Sequence, residues 1–150
     1  MPFTTSRTLL LCPIVLFAAA TEATAQSMLV SVDELSRISR DRNVVVLHIA
    51  DRQDAFEDGH IPGARFVRYG DFAVAGEDNI GSELPSAEII KRVFEAAGVG
   101  DDRRVVVYAQ SPVLAARAFF TLDAFGHFNV AVLDGGLRAW RDASKPVEQG

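Results

Sequence analysis

The sequence predicts a three-layer α/β domain, a parallel sheet of about five strands with helices on both faces. Two observations predict it. The first is a pair of short, continuous apolar runs rich in β-branched residues, at 44–47 (VVVL) and 105–108 (VVVY). A strand covered on both faces reads this way, whereas a strand with one wet face alternates. The second is that strand-like runs alternate with segments of helical spacing, as β-α units do when helices carry the chain from one parallel strand to the next.

The elements follow in order. Ser31-Val32-Asp33-Glu34 is a capping box, Ser31 as N-cap and Glu34 three residues on, and it opens a helix to about Arg40. Residues 44–47 are the first clear strand. Residues 51–58 form one or two helical turns closed by Gly59, Pro62-Gly63 is a turn, and residues 65–67 are a short strand. A polar loop with glycines at 76 and 81 occupies residues 72–84, a length at which loops are commonly functional or mobile. From Ser86 a helix puts Ile89, Ile90, Val93, Phe94 and Ala97 on its apolar face, and Gly98 ends it. The second apolar run, residues 105–108, is a buried strand. Residues 113–125 form an apolar helix stopped by Gly126, Val130–Leu133 the last strand and Gly136–Asp142 the last helix.

The amino terminus reads differently. Arg7, a 12-residue apolar run over residues 9–20 and Ala23-Thr24-Ala25 together match a secretory signal cut before Gln26, so residues 1–25 are expected to be removed. The run is too short to span a bilayer as a helix, so no stable membrane anchor is expected and the destination is periplasmic or secreted. Cleavage leaves 125 residues, enough for one compact core, and removes Cys12, the only cysteine. The mature chain then has neither thiol nor disulfide, which excludes zinc–thiolate sites and thiol nucleophiles. Fifteen Lys and Arg against 20 Asp and Glu give a net charge of −5 without a basic stripe, so nucleic acid is not an expected partner. His48, His60 and His127 lack ligand-like spacing; no metal and no cofactor are expected.

Three motifs carry a resemblance: Gly59-His60-Ile61-Pro62-Gly63-Ala64, the strand–loop–helix around Ala109-Gln110-Ser111-Pro112, and Val132-Leu133-Asp134-Gly135-Gly136-Leu137-Arg138-Ala139-Trp140. Together they resemble the rhodanese (thiosulfate sulfurtransferase) family, and the resemblance implies a rhodanese-like domain over residues 28–148. Active single-domain members place a nucleophilic cysteine directly after the strand, in a loop reading roughly Cys-Arg-x-Gly-x-Arg. Here Ala109 stands at the cysteine, Gln110 and Leu114 at the cations, and Pro112 at the glycine, where it removes an N–H donor. His48 and Ala50 stand where the family carries Asp and Arg. Ala116-Arg117-Ala118-Phe119-Phe120-Thr121-Leu122, then Phe125-Gly126-His127, looks like the first domain of tandem two-domain sulfurtransferases. In that subfamily the first domain lacks the cysteine and the second carries it, and residues 145–150 fall where a tandem protein begins its linker.

Catalytic residues are therefore expected to be absent. Gln110, Ser111 and Arg117 are the candidate binding residues, for a small sulfur anion or a partner protein. Phe119 and Phe120 are expected in the core, Trp140 as a packing anchor, and His60 as a structural histidine. The resemblance implies a secreted sulfurtransferase-family domain, inactive alone, that supports a cysteine-bearing second domain. Two alternatives stay open: a free-standing module that binds an anion or a protein, and an enzyme with Ser111 or a histidine as nucleophile, for which the local sequence supplies no neighbouring base.

Overall fold

The structure, a computed structural model, describes residues 27–74 and 82–150. The expected signal segment, its cleavage site and Cys12 lie outside the described residues, as does the middle of the polar loop.

Five strands form one wholly parallel sheet: β1 (Leu29–Val30), β2 (Val44–Ala50), β3 (Arg65–Arg68), β4 (Arg104–Ala109) and β5 (Val130–Leu133), in the spatial order β1-β5-β4-β2-β3. The helices are α1 (Val32–Ile38), α2 (Asp54–Glu57), α3 (Ala87–Ala96), α4 (Pro112–Ala124) and α5 (Gly136–Asp142). Strand alternation divides the core in two. Val45, Leu47, Ile49, Val105, Val107 and Ala109 pack towards α3 and α4, against Ile90, Phe94, Phe119 and Leu122. Val46, Val106 and Tyr108 point the other way, against Leu35 of α1 and Leu137 and Trp140 of α5. The three-layer prediction holds.

Several boundaries differ from the sequence reading. β2 runs on past the apolar run through His48, Ile49 and Ala50, because Ile49 pairs with Ala109 and Ala50 with Arg68 while His48 is fully buried. Ala109 is the last residue of β4 and not the first of the loop. β1, two residues long, was not predicted; it exists because Met28 and Val30 carbonyls accept from Val132 and Asp134. α4 begins one residue early, with Pro112 in its first turn, where the missing N–H is not needed by the helix. It ends at Ala124. α1 stops at Ile38, and helical structure in residues 51–58 is confined to α2.

Two core assignments are corrected. Ile89 is 40% exposed, since the buried face of α3 is carried by Ile90 and Phe94. Phe120 is 62% exposed, pointing away from the sheet while Phe119 fills the core beside it. The capping box does form, with the Ser31 hydroxyl accepting from the Glu34 N–H. Trp140 is buried, and its indole N–H donates to the Pro146 carbonyl at 2.7 Å, which ties the C-terminal segment to α5.

Candidate functional site

From β2 the chain moves outward to β3, then crosses back to β4 and on to β5. The carboxyl ends of β2 and β4 therefore feed loops to opposite sides of the sheet, and a crevice opens between them, as open α/β sheets do where strand order reverses. A cleft of about 390 Å³ lies there. Its walls are the end of β2 (Ile49, Ala50), the turn into α2 with Asp51, Arg52, Asp54 and Asp58, and the β4–α4 junction with Gln110, Ser111 and Leu114. Gln110 also borders a second cleft, about 320 Å³, beside Arg138 and Arg141 of α5.

The junction offers few donors. Ser111 is extended, and its hydroxyl makes no capping bond. Pro112 has no N–H. The Leu114 N–H turns back onto the Ser111 carbonyl at 3.2 Å, and Ala115 bonds the same oxygen at 3.5 Å. Of the first three helical positions only Val113 keeps an N–H free to point outward, where an anion cradle needs several converging ones. The charge of the main cleft is also wrong for an anion. Three aspartates line it against one arginine, and the guanidinium of Arg52 is paired with Asp54. The side chain of Ala109 is 5% exposed and belongs to the α3/α4 core. Its carbonyl is covered by Gly136, where a Cβ would lie 2.6 Å from the Ala109 oxygen and where the backbone, at φ +57°, is in the left-handed region.

Gln110 and Ser111 thus sit in the cleft, as the sequence suggests. Arg117 does not line it. One turn further along α4, its guanidinium donates to the Ser82 carbonyl, while its Nε is buried without a partner. Sequence reasoning missed Asp51, Asp54 and Asp58. Their signal was available, as acids spaced three and four residues apart directly after a buried strand, but they read as an ordinary solvated turn.

Behind the cleft, on the α1/α5 side of the sheet, lie the buried polar side chains His48, His60 and Tyr108. His48 is fully buried, stacked on Tyr108 with ring centres 4.7 Å apart, and neither ring nitrogen has a hydrogen-bond partner. Burial, with smaller contributions from His60 and Arg141, lowers its pKa from 6.5 to about 4. The Tyr108 hydroxyl accepts from the Ile61 N–H at 2.9 Å, and burial pushes its pKa up. His60 donates from Nδ1 to the Phe56 carbonyl at 3.0 Å, stacks on the Phe56 ring at 3.7 Å and lies 3.7 Å from the Glu148 carboxylate, a structural arrangement. Among the described residues, no group of three or more His, Cys, Asp or Glu side chains is placed to hold a metal ion, and no helix is long and apolar enough to cross a membrane.

The family model for the rhodanese-like domain matches residues 31–143. The chain belongs to the rhodanese-like domain family. It is 33% identical over 140 residues to a putative thiosulfate sulfurtransferase, SseB, of Mycobacterium tuberculosis, a match covering 86% of this chain and 49% of that protein. It is 36% identical over 103 residues to the 3-mercaptopyruvate sulfurtransferase of Homo sapiens, covering 67% of this chain and 34% of that one. Among solved structures, the 3-mercaptopyruvate sulfurtransferase SseA of Escherichia coli superposes with a TM-score of 0.70 at 26% identity, over 83% of this chain and 52% of that chain. The rhodanese-like fold and sulfurtransferase kinship expected from the three motifs are both found. The chain spans about half or less of the length of these relatives.

Proposed function

We propose that this rhodanese-like domain is an exported sulfurtransferase-family domain that performs no sulfur transfer by itself and supports a cysteine-bearing second domain. The single observation that carries the reading is Ala109 at the carboxyl end of β4. Sulfane sulfur transfer proceeds through a persulfide on a thiolate, and an alanine methyl group packed into the core supplies no lone pair. Two features of the cleft agree. The start of α4 keeps one outward N–H of its first three positions, and the walls carry three aspartates against one paired arginine. A thiosulfate dianion meets neither the donors nor the charge that hold it. These features also weigh against a free-standing anion-binding module.

Export follows from the amino-terminal pattern of Arg7, the apolar run and Ala23-Thr24-Ala25. The role as a supporting domain is supported by the resemblance of residues 116–122 and 125–127 to the first domain of tandem sulfurtransferases and by the length of the relatives. The test is thiosulfate-to-cyanide turnover by the purified chain beginning at Gln26. Turnover at buffer level is expected. Turnover that persists after contaminating sulfurtransferase is removed would assign the sulfur-carrying group to a residue other than the one at position 109.

A further inference from the structure

The two edges of the sheet differ. β1 has two residues, too few to template another strand; β3 has four, with β2 on one side of it only. In a parallel ladder alternate residues turn both N–H and C=O to the same neighbour, so on an edge strand the other residues turn theirs outward, a row that can accept a further strand. Among the described residues, no group beyond β2 bonds the backbone of Arg65–Arg68. A cleft of about 400 Å³ lies between β3 and α3, and all four residues of β3 line it. Consecutive side chains of a strand point to opposite faces, so a cleft that meets all four follows the edge and not one face. The charge here is opposite to that of the cleft between β2 and β4. Arg65, Arg68 and Arg92 line it with a single aspartate, Asp71. All three arginines are exposed, and among the described residues none is paired with a carboxylate. Two are steadied by backbone carbonyls: Arg65 donates to Ala97 at 3.0 Å and Arg68 donates from Nε to Asp51 at 3.3 Å. Each of these bonds uses one of five guanidinium N–H groups and leaves the positive charge unneutralised.

We propose that the outer edge of β3 is a docking groove for an extended acidic segment of a partner protein, which pairs with β3 as a sixth strand of the sheet. The groove shares no lining residue with the cleft between β2 and β4, and the proposal does not depend on the function proposed above. In strand addition the backbone bonds give affinity and the flanking side chains give selectivity. Charge selects the occupant. A guest carboxylate can accept two parallel N–H bonds from one guanidinium, and the groove presents three guanidinium groups that no described carboxylate holds. Apolar guest side chains meet Val93 and Ala96 on the wall of α3. A second copy of this chain, pairing edge to edge, would set three arginines against three, and charged edges oppose self-association in this way. A basic segment is opposed by the same repulsion.

The probe is a fluorescein-labelled hexapeptide of alternating glutamate and valine. Binding is measured by fluorescence anisotropy on titration with the purified chain, and backbone amide shifts of the isotope-labelled chain locate the contact. Saturable binding is expected, with the largest shifts at residues 65–68. The same peptide N-methylated throughout keeps its charge but has no N–H groups to pair, and should bind several-fold more weakly. Arg92→Gln changes an exposed side chain that bonds no described residue, so it should leave the fold unchanged and weaken binding several-fold. A lysine–valine hexapeptide should not bind. Equal binding by the N-methylated peptide would overturn strand addition. Unchanged binding to Arg92→Gln, or shifts centred away from β3, would overturn the groove. Equal binding of the lysine–valine peptide, or a dimer of the chain itself whose shifts fall on β3, would overturn the choice of an acidic occupant. Absence of binding by either charged peptide would overturn the proposal as a whole.

Discussion

His48 sets how this domain responds to acid. The imidazole lies in the middle of the sheet, fully buried, with both nitrogens unpartnered and the ring of Tyr108 against it. In the unfolded chain it titrates at 6.5; in the folded chain burial holds it at about 4. Between these values the unfolded state binds the proton and the folded state does not, so stability falls as pH drops through 6.5 and this contribution levels off below 4. At about 1.4 kcal/mol per pKa unit, the full shift costs about 3 kcal/mol, and the part already lost at pH 5 is about 2 kcal/mol. That is a large share of the 5–15 kcal/mol that holds a typical domain. His48→Leu, of similar volume, removes the titrating group. At pH 7.5 its net effect is small, because relief of the unpaired nitrogens, about 1–3 kcal/mol, is offset by the imperfect fit of the new side chain. The discriminating quantity is the pH slope. Urea unfolding of both proteins at pH 7.5 and pH 5 should show the native chain losing about 2 kcal/mol more than His48→Leu. His60 and His127 are common to both and cancel in the difference. Parallel losses in the two proteins would mean that His48 takes up its proton normally in the folded chain, and the reading of an orphaned buried imidazole would be refuted.

Other outcomes follow from the same contacts. Tyr108→Phe should cost about 1–3 kcal/mol in urea unfolding, because it strands the buried Ile61 N–H; an unchanged midpoint would show that N–H to be otherwise satisfied. Gly136→Ala should cost about 2 kcal/mol or more, since it combines a left-handed backbone with a contact on the Ala109 carbonyl that only movement of α5 or β4 can relieve; it should lower the thermal midpoint by several degrees. Ala109→Cys should give a thiol that reacts slowly with iodoacetamide and titrates at or above the free value of ~8.5, because the site is buried and its flank is acidic. A titration midpoint below about 7 would reveal a working anion cradle at the start of α4.

The sheet was legible in the sequence because its strands are buried on both faces, and such strands announce themselves as runs of Val and Leu. The legibility failed where one residue broke the run. His48 is a core residue with a polar side chain, and nothing local distinguishes a stacked, neutral imidazole from one that ends a strand. β1 is held by backbone bonds to β5, a pairing 103 residues away that two residues of sequence cannot encode. Phe120 and Ile89 misled for a different reason. On α4 both faces are apolar, so helical spacing does not say which half meets the sheet; on the amphipathic α3, Ile89 lies at the edge of the apolar stripe, whose centre is Ile90 and Phe94. At the site, Gln110 and Ser111 were legible because a loop between a buried strand and a helix must lie at the sheet's carboxyl edge. The acidic wall was not, because its residues come from the far side of the crevice, and only the β2–β4 pairing brings the two sides together.

The most direct test of the proposed export and inactivity is the intact mass of the chain recovered from the periplasmic or secreted fraction, before and after incubation with thiosulfate. The predicted result is a chain beginning at Gln26 whose mass does not change, because removal of residues 1–25 takes Cys12 with it and leaves no thiol on which sulfane sulfur can rest. A mass increase of one sulfur atom that survives desalting and is removed by cyanide would contradict the central claim, and would show that this domain carries sulfur itself.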